Sequence, residues 1–477
     1  MTAQLPYPPL DPTDKNGFSY ETVLKRWPII ITGVIDELHQ QCHNLSLELQ
    51  KGAGPRDILE AKIKEALAIV NEISKLKYEM ARDRPLNPVP EDGEPYSDLY
   101  NKELESLAGE AKNTWFTAPW LYAECYLYRL LRSYLAQTQH WKDFDPFLAQ
   151  KIRTFKHSYN SILQLATSMH ELEADKEILV SDDKLEVFFR QMIQMSLWGN
   201  ATDLSLLTHL SVTDIERLQA VGKEAQAARH EFILKDDQDA VWNHFKSLKK
   251  ARVDIILDNS GFELFTDLVF ADFLVTYTPH VDKVIFHPKM FPWFVSDVTP
   301  PDFAQSFELL LDPAFFDSVS EDQSNNRQHL IAMVNRWKGY VESGVFVLSV
   351  ALESRFGEDT HDIADFWTSP YPYWNMESLA PELFGRLKTS DLVIFKGDLN
   401  YRKLTGDLKW PAWTPFAEAL RGLAGSFPIL SLRTNKADVV VGVDRAVAEE
   451  LDAKSGNKWR VDGSYALISF LGRTTDT

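Results

Sequence analysis

"VDIILDNSGFELFTDLVFADFLV", residues 253–275, joins a run of strand-forming residues to a helix-like pattern with only Asp258-Asn259-Ser260-Gly261 between them. Apart from Asp254 the run is apolar up to Leu257, which describes a strand covered on both faces, as in a parallel sheet. The stretch therefore points to a layered α/β fold, and it poses a question. Asp, Asn, Ser and Gly at such a junction serve as a turn and a helix N-cap. They also offer oxygen atoms to a hard cation.

Working outward, the region after residue 250 repeats this grammar. Short β-rich runs, "VDIILD" (253–258), "KVIFH" (283–287), "GVFVLSV" (344–350), "DLVIFKG" (391–397), "PILSLR" (428–433) and "YALISF" (465–470), alternate with helix-length stretches such as 261–275, 379–388 and 444–453. Strand, helix, strand in repetition predicts a mainly parallel sheet covered on both faces, an α/β/α domain over 246–477.

Up to about residue 245 the apolar residues recur at helical spacing instead. "PRDILEAKIKEALAIVNEISKLKYEMA" (55–81) places Leu59, Ile63, Leu67, Val70 and Ile73 on one stripe. "PWLYAECYLYRLLRSYLAQ" (119–137) is apolar nearly all round, as a buried helix would be, and "KLEVFFRQMIQMSLWG" (184–199) reads as a helix capped by Gly199. A mainly helical domain is expected over 1–245. The four prolines of 82–98 and the polar run 312–328 predict loops.

At 477 residues two domains are the natural expectation, and 44% hydrophobic residues with 13 tryptophans supply their cores. The formal net charge of -19 argues against a broad nucleic-acid surface. It also means that a phosphorylated ligand would need a local cationic site, because the field of the whole molecule repels it. Only Cys42 and Cys125 occur, which excludes a disulfide framework and a thiolate metal site and fits a reducing compartment. The N-terminus lacks the apolar core of a signal peptide, and no run of 18 apolar residues is present. A cytosolic protein away from the membrane is expected, with a nuclear pool and the oligomeric state left open.

In an open parallel sheet, ligands bind outside the carboxyl ends of the strands. Four polar clusters follow four β-runs on that side: Asp258-Asn259; Asp297; Asp398, Asn400, Arg402 and Lys403 in "GDLNYRK"; and Arg433 with Lys436 in "RTNKAD". Each alone also reads as a cap or a solvated loop; their shared placement lifts the functional reading. Asp258, Asn259 and Asp297 offer oxygen ligands suited to Mg²⁺ or Mn²⁺. Arg402 and Lys436 offer donors for an anion. Together they equip a site for metal-assisted phosphoryl hydrolysis, with Asp297 and Asp398 as candidates for the general acid or base.

"LDNSGFELFTDL", "LVIFKGDLNYRKLTGDLKWP" and "LSLRTNKADV" resemble the signatures of the metal-dependent damage-control phosphatases, formerly the eighty-ninth domain of unknown function. The RTxK form, Arg433 to Lys436, resembles that of the third subfamily, and "RWPIIITGVID", "AECYLYRLL" and "SLWGNATDLSLL" extend the likeness nearly end to end. The resemblance implies a helical N-terminal domain on a Rossmann-like α/β/α domain. It implies that Asp258, Asn259 and Asp297 hold Mn²⁺, Co²⁺, Ni²⁺ or Mg²⁺. It further implies that Asp258, Asn259, the run Asp398, Leu399, Asn400, Tyr401 and Arg402, and Lys436 contact a small phosphometabolite such as fructose 1-phosphate. Asn200 and Asp203 follow a helix end in a Gly-Asn-x-x-Asp element that related subfamilies carry near the site; a helix cap explains them equally well. Glu124 and Arg129, charges in an apolar helix, read as ion-paired before substrate-binding.

The alternative activity is an S-adenosylmethionine-dependent protein carboxyl methyltransferase, also proposed for relatives in this subfamily. Nucleotide-like cofactors need a Gly-rich first turn, and here only Gly261 is present. A haloacid-dehalogenase mechanism requires an Asp two positions after Asp258, where Ser260 stands, and no P-loop sequence occurs. A non-catalytic interaction protein on this scaffold would be expected to lose one of the ligands or cations, and all are kept.

Overall fold

The computed structural model describes residues 5–174, 181–199, 232–316 and 324–474. Among them, the strands β1 (Ile233–Asp236), β2 (Ala251–Ile256), β3 (Val281–His287), β4 (Phe346–Leu348), β5 (Leu392–Lys396), β6 (Ile429–Thr434) and β7 (Ala466–Leu471) form one sheet in the order β1-β7-β6-β5-β2-β3-β4. β2 is central and pairs in parallel with both β3 and β5; β3 with β4 and β5 with β6 are parallel as well. Only β6 and β7 run antiparallel, and β1 is paired in parallel with β7.

Each of the six anticipated β-runs overlaps one of these strands, with ends that differ by no more than two residues. β1 was not anticipated, and it lies before residue 246, so a domain boundary at 245 cuts through the sheet. The cause is local: "ILKD" is short, and its second half is polar, with Lys235 half-buried and Asp236 exposed.

The helices of eight or more residues are α1 (Trp27–Lys51), α2 (Arg56–Ala81), α3 (Ser97–Gly109), α4 (Trp120–Ala136), α5 (Leu148–His157), α6 (Tyr159–Ala174), α7 (Asp182–Gly199), α8 (Gln238–Phe245), α9 (Phe262–Tyr277), α10 (Pro300–Leu311), α11 (Ser324–Ser343), α12 (Pro381–Lys388), α13 (Gly397–Thr405) and α14 (Arg445–Ser455). The sheet divides their apolar faces into two cores by the alternation of side chains along each strand. Val253, Ile255, Ile394, Leu430 and Ile468 face a core built with α5 to α9. Ile256, Val393, Phe395, Ile429 and Leu467 face a core shared with α1 to α4. The helical half is therefore not one unit: α1 to α4 cover one face, and α5 to α7 complete the other.

Three local expectations are revised. In α2, Leu67 is 43% exposed, while Leu59, Ala66, Val70 and Ile73 are buried. At 100° per residue Leu67 falls about 80° from Leu59, at the margin of the stripe. Residues 324–328 open α11 instead of continuing the loop. Gly199 is the last residue of α7, and a Cβ there would lie 2.3 Å from Thr266 Oγ1 of α9. The glycine permits this close helix–helix approach.

Candidate metal and phosphate site

The topology explains where the polar clusters fall. From β2 the chain steps outward through β3 to β4, then returns to the other side of β2 as β5 and continues to β6. The sheet's switch point is thus the crevice between the carboxyl ends of β2 and β5, where such folds bind ligands. Asp258-Asn259 follows β2, Asp297 lies beyond β3, Asp398 lies in the first turn of α13 after β5, and Arg433 lies near the end of β6 with Lys436 two residues past it. Because these four strands are mutually parallel, all four clusters stand at one rim.

Asn259 and Asp297 face each other in an antiparallel β-bridge. Val298 N donates to Asp258 O at 2.8 Å and Ser260 N to Ser296 O at 2.7 Å, which clamps the bridge on both sides. Gly261 then turns the chain into α9 at φ 73°, ψ -124°, a backbone state that favours glycine. Asn259 Nδ2 donates to Asp258 Oδ2 at 2.9 Å, so these two ligand candidates touch. On the opposite wall of the crevice, a Cβ on Gly397 would stand 1.7 Å from Asp258 Oδ2, at φ +80°. Only a glycine lets the β5 turn close over that carboxylate. Asp258, Asn259 and Asp297 are 4%, 5% and 1% exposed.

Lys289, two residues past β3, is fully buried at the same place. Its ammonium donates to Leu257 O at 2.8 Å and stands 3.4 Å from both Asp297 Oδ2 and Asn400 Oδ1. Asn400 staples β5 to β2: its Nδ2 reaches Lys396 O at 2.7 Å and Leu257 O at 3.2 Å, and its Oδ1 accepts from Tyr373 Oη at 2.6 Å. Burial, then the negative charges of Asp297 and Asp258, raises the Tyr373 phenol well above its ordinary pKa. Asp398 Oδ1 accepts from Arg433 Nε at 2.8 Å and from the backbone N of Lys436 at 3.0 Å. That carboxylate therefore links the β5 turn to the RTxK loop and orients Lys436, itself 4% exposed.

Other expected residues serve different contacts. The Arg402 guanidinium, expected to clamp a substrate anion, donates to Glu124 Oε2 at 2.7 Å and Asp407 Oδ2 at 3.0 Å. The Trp120 ring lies 3.8 Å from it. Glu124 also accepts from Trp27 Nε1 at 3.0 Å, so both charges belong to the seam between α4 and α13. Arg129 is paired with Asp92 at 2.7 Å. The Leu399 side chain lies in the apolar core, and Tyr401 accepts from Val441 N at 2.9 Å with Arg433 over its ring. What the 398–402 run still offers an anion is its backbone: α13 begins without a side-chain cap, as does α9, leaving N–H groups directed at the rim. Asn200 and Asp203 lie outside the described residues.

Sequence reading missed Lys289, Tyr373 and a buried cluster of Glu263, Asp267 and Lys396. Each had a signal. Lys396 interrupts an apolar strand, Glu263 and Asp267 recur one turn apart on a helix buried all round, and charges there are rare unless paired. Among the described residues no cluster of three His, Cys, Asp or Glu forms a cage for a metal by itself. The expected set is two carboxylates and an amide, and its donor chemistry fits a hard cation. It is all oxygen, buried, and closed on the Asp258 side by the Gly397 backbone. A cavity of about 650 Å³ lined by Leu10, Tyr122, Trp374 and Arg421 shares no residue with this rim.

An α/β/α protein whose acidic and cationic side chains meet at the switch point of its sheet belongs with the Rossmann-like ligand-binding folds, and sequence comparison narrows that class. The profile of the damage-control phosphatase ARMT1-like domain matches residues 22–451. The chain is 35% identical over 478 residues to damage-control phosphatase ARMT1 of Danio rerio, covering 98% of this chain and 97% of that protein. It is 34% identical over 471 residues to the Homo sapiens protein of the same name, covering 96% and 97%. The chain belongs to the ARMT1-like damage-control phosphatase family. A crystal structure of a DUF89 family protein from Pyrococcus horikoshii is 15% identical, covers 79% of this chain and 90% of its own, and superposes with a TM-score of 0.37. Neither the family profile nor these relatives lend support to the methyltransferase alternative. Among the described residues no helix is long and apolar enough to cross a membrane.

Proposed function

We propose that this chain is a divalent-metal-dependent phosphatase of small phosphometabolites, with sugar phosphates such as fructose 1-phosphate as its substrate class. What supports this reading is that Asp258, Asn259 and Asp297 stand at the same rim as Asp398, whose carboxylate accepts from the backbone N of Lys436. The names of the relatives supply the reaction class. Asp258, Asn259 and Asp297 would hold Mn²⁺, Co²⁺, Ni²⁺ or Mg²⁺. A bound dication would supply Lewis-acid polarisation of a phosphoryl oxygen.

The remaining roles fall to the chain itself. Lys436 gives the phosphoryl group a cation, which the net charge of -19 makes necessary. The N–H groups at the starts of α9 and α13 add donors with the favourable end of each helix dipole. Asp398, engaged by Arg433 and Lys436, is read as an orienting carboxylate in place of the acid–base role first considered for it. Asp297 then remains as the acid–base candidate.

Asp258→Ala tests the reading. Manganese-dependent phosphate release across a panel of sugar phosphates should fall roughly 10³-fold, the order lost with several kcal/mol of charge stabilisation. Mn²⁺ uptake should be lost with it and the fold kept. Full manganese-dependent turnover by the purified variant would remove Asp258 from the site.

A further inference from the structure

The side-chain amide of Asn259 has two unlike ends, and its surroundings decide which end faces outward. Nδ2 donates to Asp258 Oδ2 at 2.9 Å and to Glu263 Oε2 at 2.8 Å. Oδ1 accepts from Ser296 Oγ at 2.5 Å. Ionised carboxylates only accept, so both must meet the NH₂ end, and the oxygen is turned toward Ser296 with a second lone pair remaining. Asp258 alone would not impose this, because a ligand carboxylate also has a cation to bind. Glu263 is instead anchored from its far side. It is fully buried in the first turn of α9, and its other oxygen is 3.3 Å from Lys396 Nζ.

Lys396 is in turn fixed by Asp267 Oδ1 at 2.9 Å and by Ser196 O at 2.5 Å, in the last turn of α7. Ser196 Oγ closes the cluster on Asp267 at 2.7 Å. An amide at position 263 would therefore be held the wrong way round. Lys396 would select its oxygen, its NH₂ would face the NH₂ of Asn259, and donor would meet donor.

We propose that Glu263 is a positioning residue that sets the flip of Asn259, so that Oδ1 is presented to the cation. This rests on the metal-dependent reading above and deepens it: residues that orient a ligand are worth about 10–100-fold in metal affinity.

The test is Mn²⁺ binding to the full chain by calorimetry or spin-resonance titration, without substrate. Glu263→Gln should weaken binding by about 10–100-fold. Adding Asn259→Asp to Glu263→Gln transposes the carboxylate and the amide. It restores a bonded pair of unchanged total charge, and affinity should return to within roughly tenfold of the parent or better. Asn259→Asp alone sets a second carboxylate against Glu263 and should bind less tightly than the double variant, which separates a restored pair from the mere gain of a charged ligand. Unchanged Mn²⁺ affinity in Glu263→Gln overturns the proposal. So does a double variant that folds yet binds no more tightly than the single one. Should Glu263→Gln fail to fold, the double variant compared with the parent decides by the same tenfold limit. A parent protein that takes up no Mn²⁺, like its Asp258→Ala control, defeats the metal reading itself, a result distinct from either outcome.

Discussion

Two buried polar regions lie a few residues apart on α13 and are built on opposite principles. At the seam with α4, every carboxylate meets a guanidinium: Glu124 and Asp407 both pair with Arg402, and Trp120 covers its face. At the rim, Asp258 and Glu263 share one neutral amide, while Glu263 has Lys396 at 3.3 Å and Asp297 has Lys289 at 3.4 Å. Charge is matched by charge where the task is to join two layers. At the rim a neutral amide stands between two carboxylates, which is where the proposed cation would be received. The stretches "AECYLYRLL" and "LVIFKGDLNYRKLTGDLKWP" supply the seam and the second also supplies Asp398 and Asn400 at the rim, so the type of partner tells the two regions apart better than the motif does.

The largest effect that would break this contrast is at the seam. Arg402→Met strands two buried carboxylates and should cost about 3–5 kcal/mol in a urea unfolding experiment. A loss below roughly 1 kcal/mol, the level of a surface pair, would show that the seam is not held by this ion group. At the rim, Lys436→Ala should raise KM about 10- to 100-fold, as expected for losing a hydrogen-bonded charge of some 1.5–3 kcal/mol, with Mn²⁺ affinity little changed. An unaltered KM would take Lys436 out of the phosphate contact.

The smallest effect concerns pH. Burial pushes the Asp407 carboxyl up to about 6 against the pull of Arg402, with Asp398 and Glu124 adding to the rise. Between about pH 4 and 6 the native state then holds a proton that the unfolded chain has released, so this group makes stability fall as pH rises through that window. Asp407→Asn should flatten that part of the stability–pH curve, which denaturation at pH 4, 5 and 6 would measure. An unchanged slope would show that Asp407 ionises normally in its pair.

Much of the fold was legible because its strands are long, apolar and punctuated. Six of the described strands and the helices over 56–81, 120–136 and 182–199 lie where periodicity put them. The rim was legible for a topological reason: residues just past parallel strands must share an edge, whatever the loops do. Pairings were not. Arg402 reads as a free cation in "GDLNYRK" because its partner Glu124 is 278 residues away, and no local pattern carries that distance. Lys289 escaped notice although the strand-end rule that found Asp297 applied to it equally. The split of the helical half between two faces of the sheet is a matter of packing, which hydrophobic period alone does not direct.

The place of β7 between β1 and β6 carries a consequence for assembly. Within the described sheet β1 touches only β7, so the strand from residues 233–236 has no neighbour to join until 466–471 arrives. Closing so long a loop is slow relative to local contacts. Until then the flank of β6 stays open as a template for another chain. Loss of the final strand would thus expose that flank and release β1 together, making the last segment the latch against self-association.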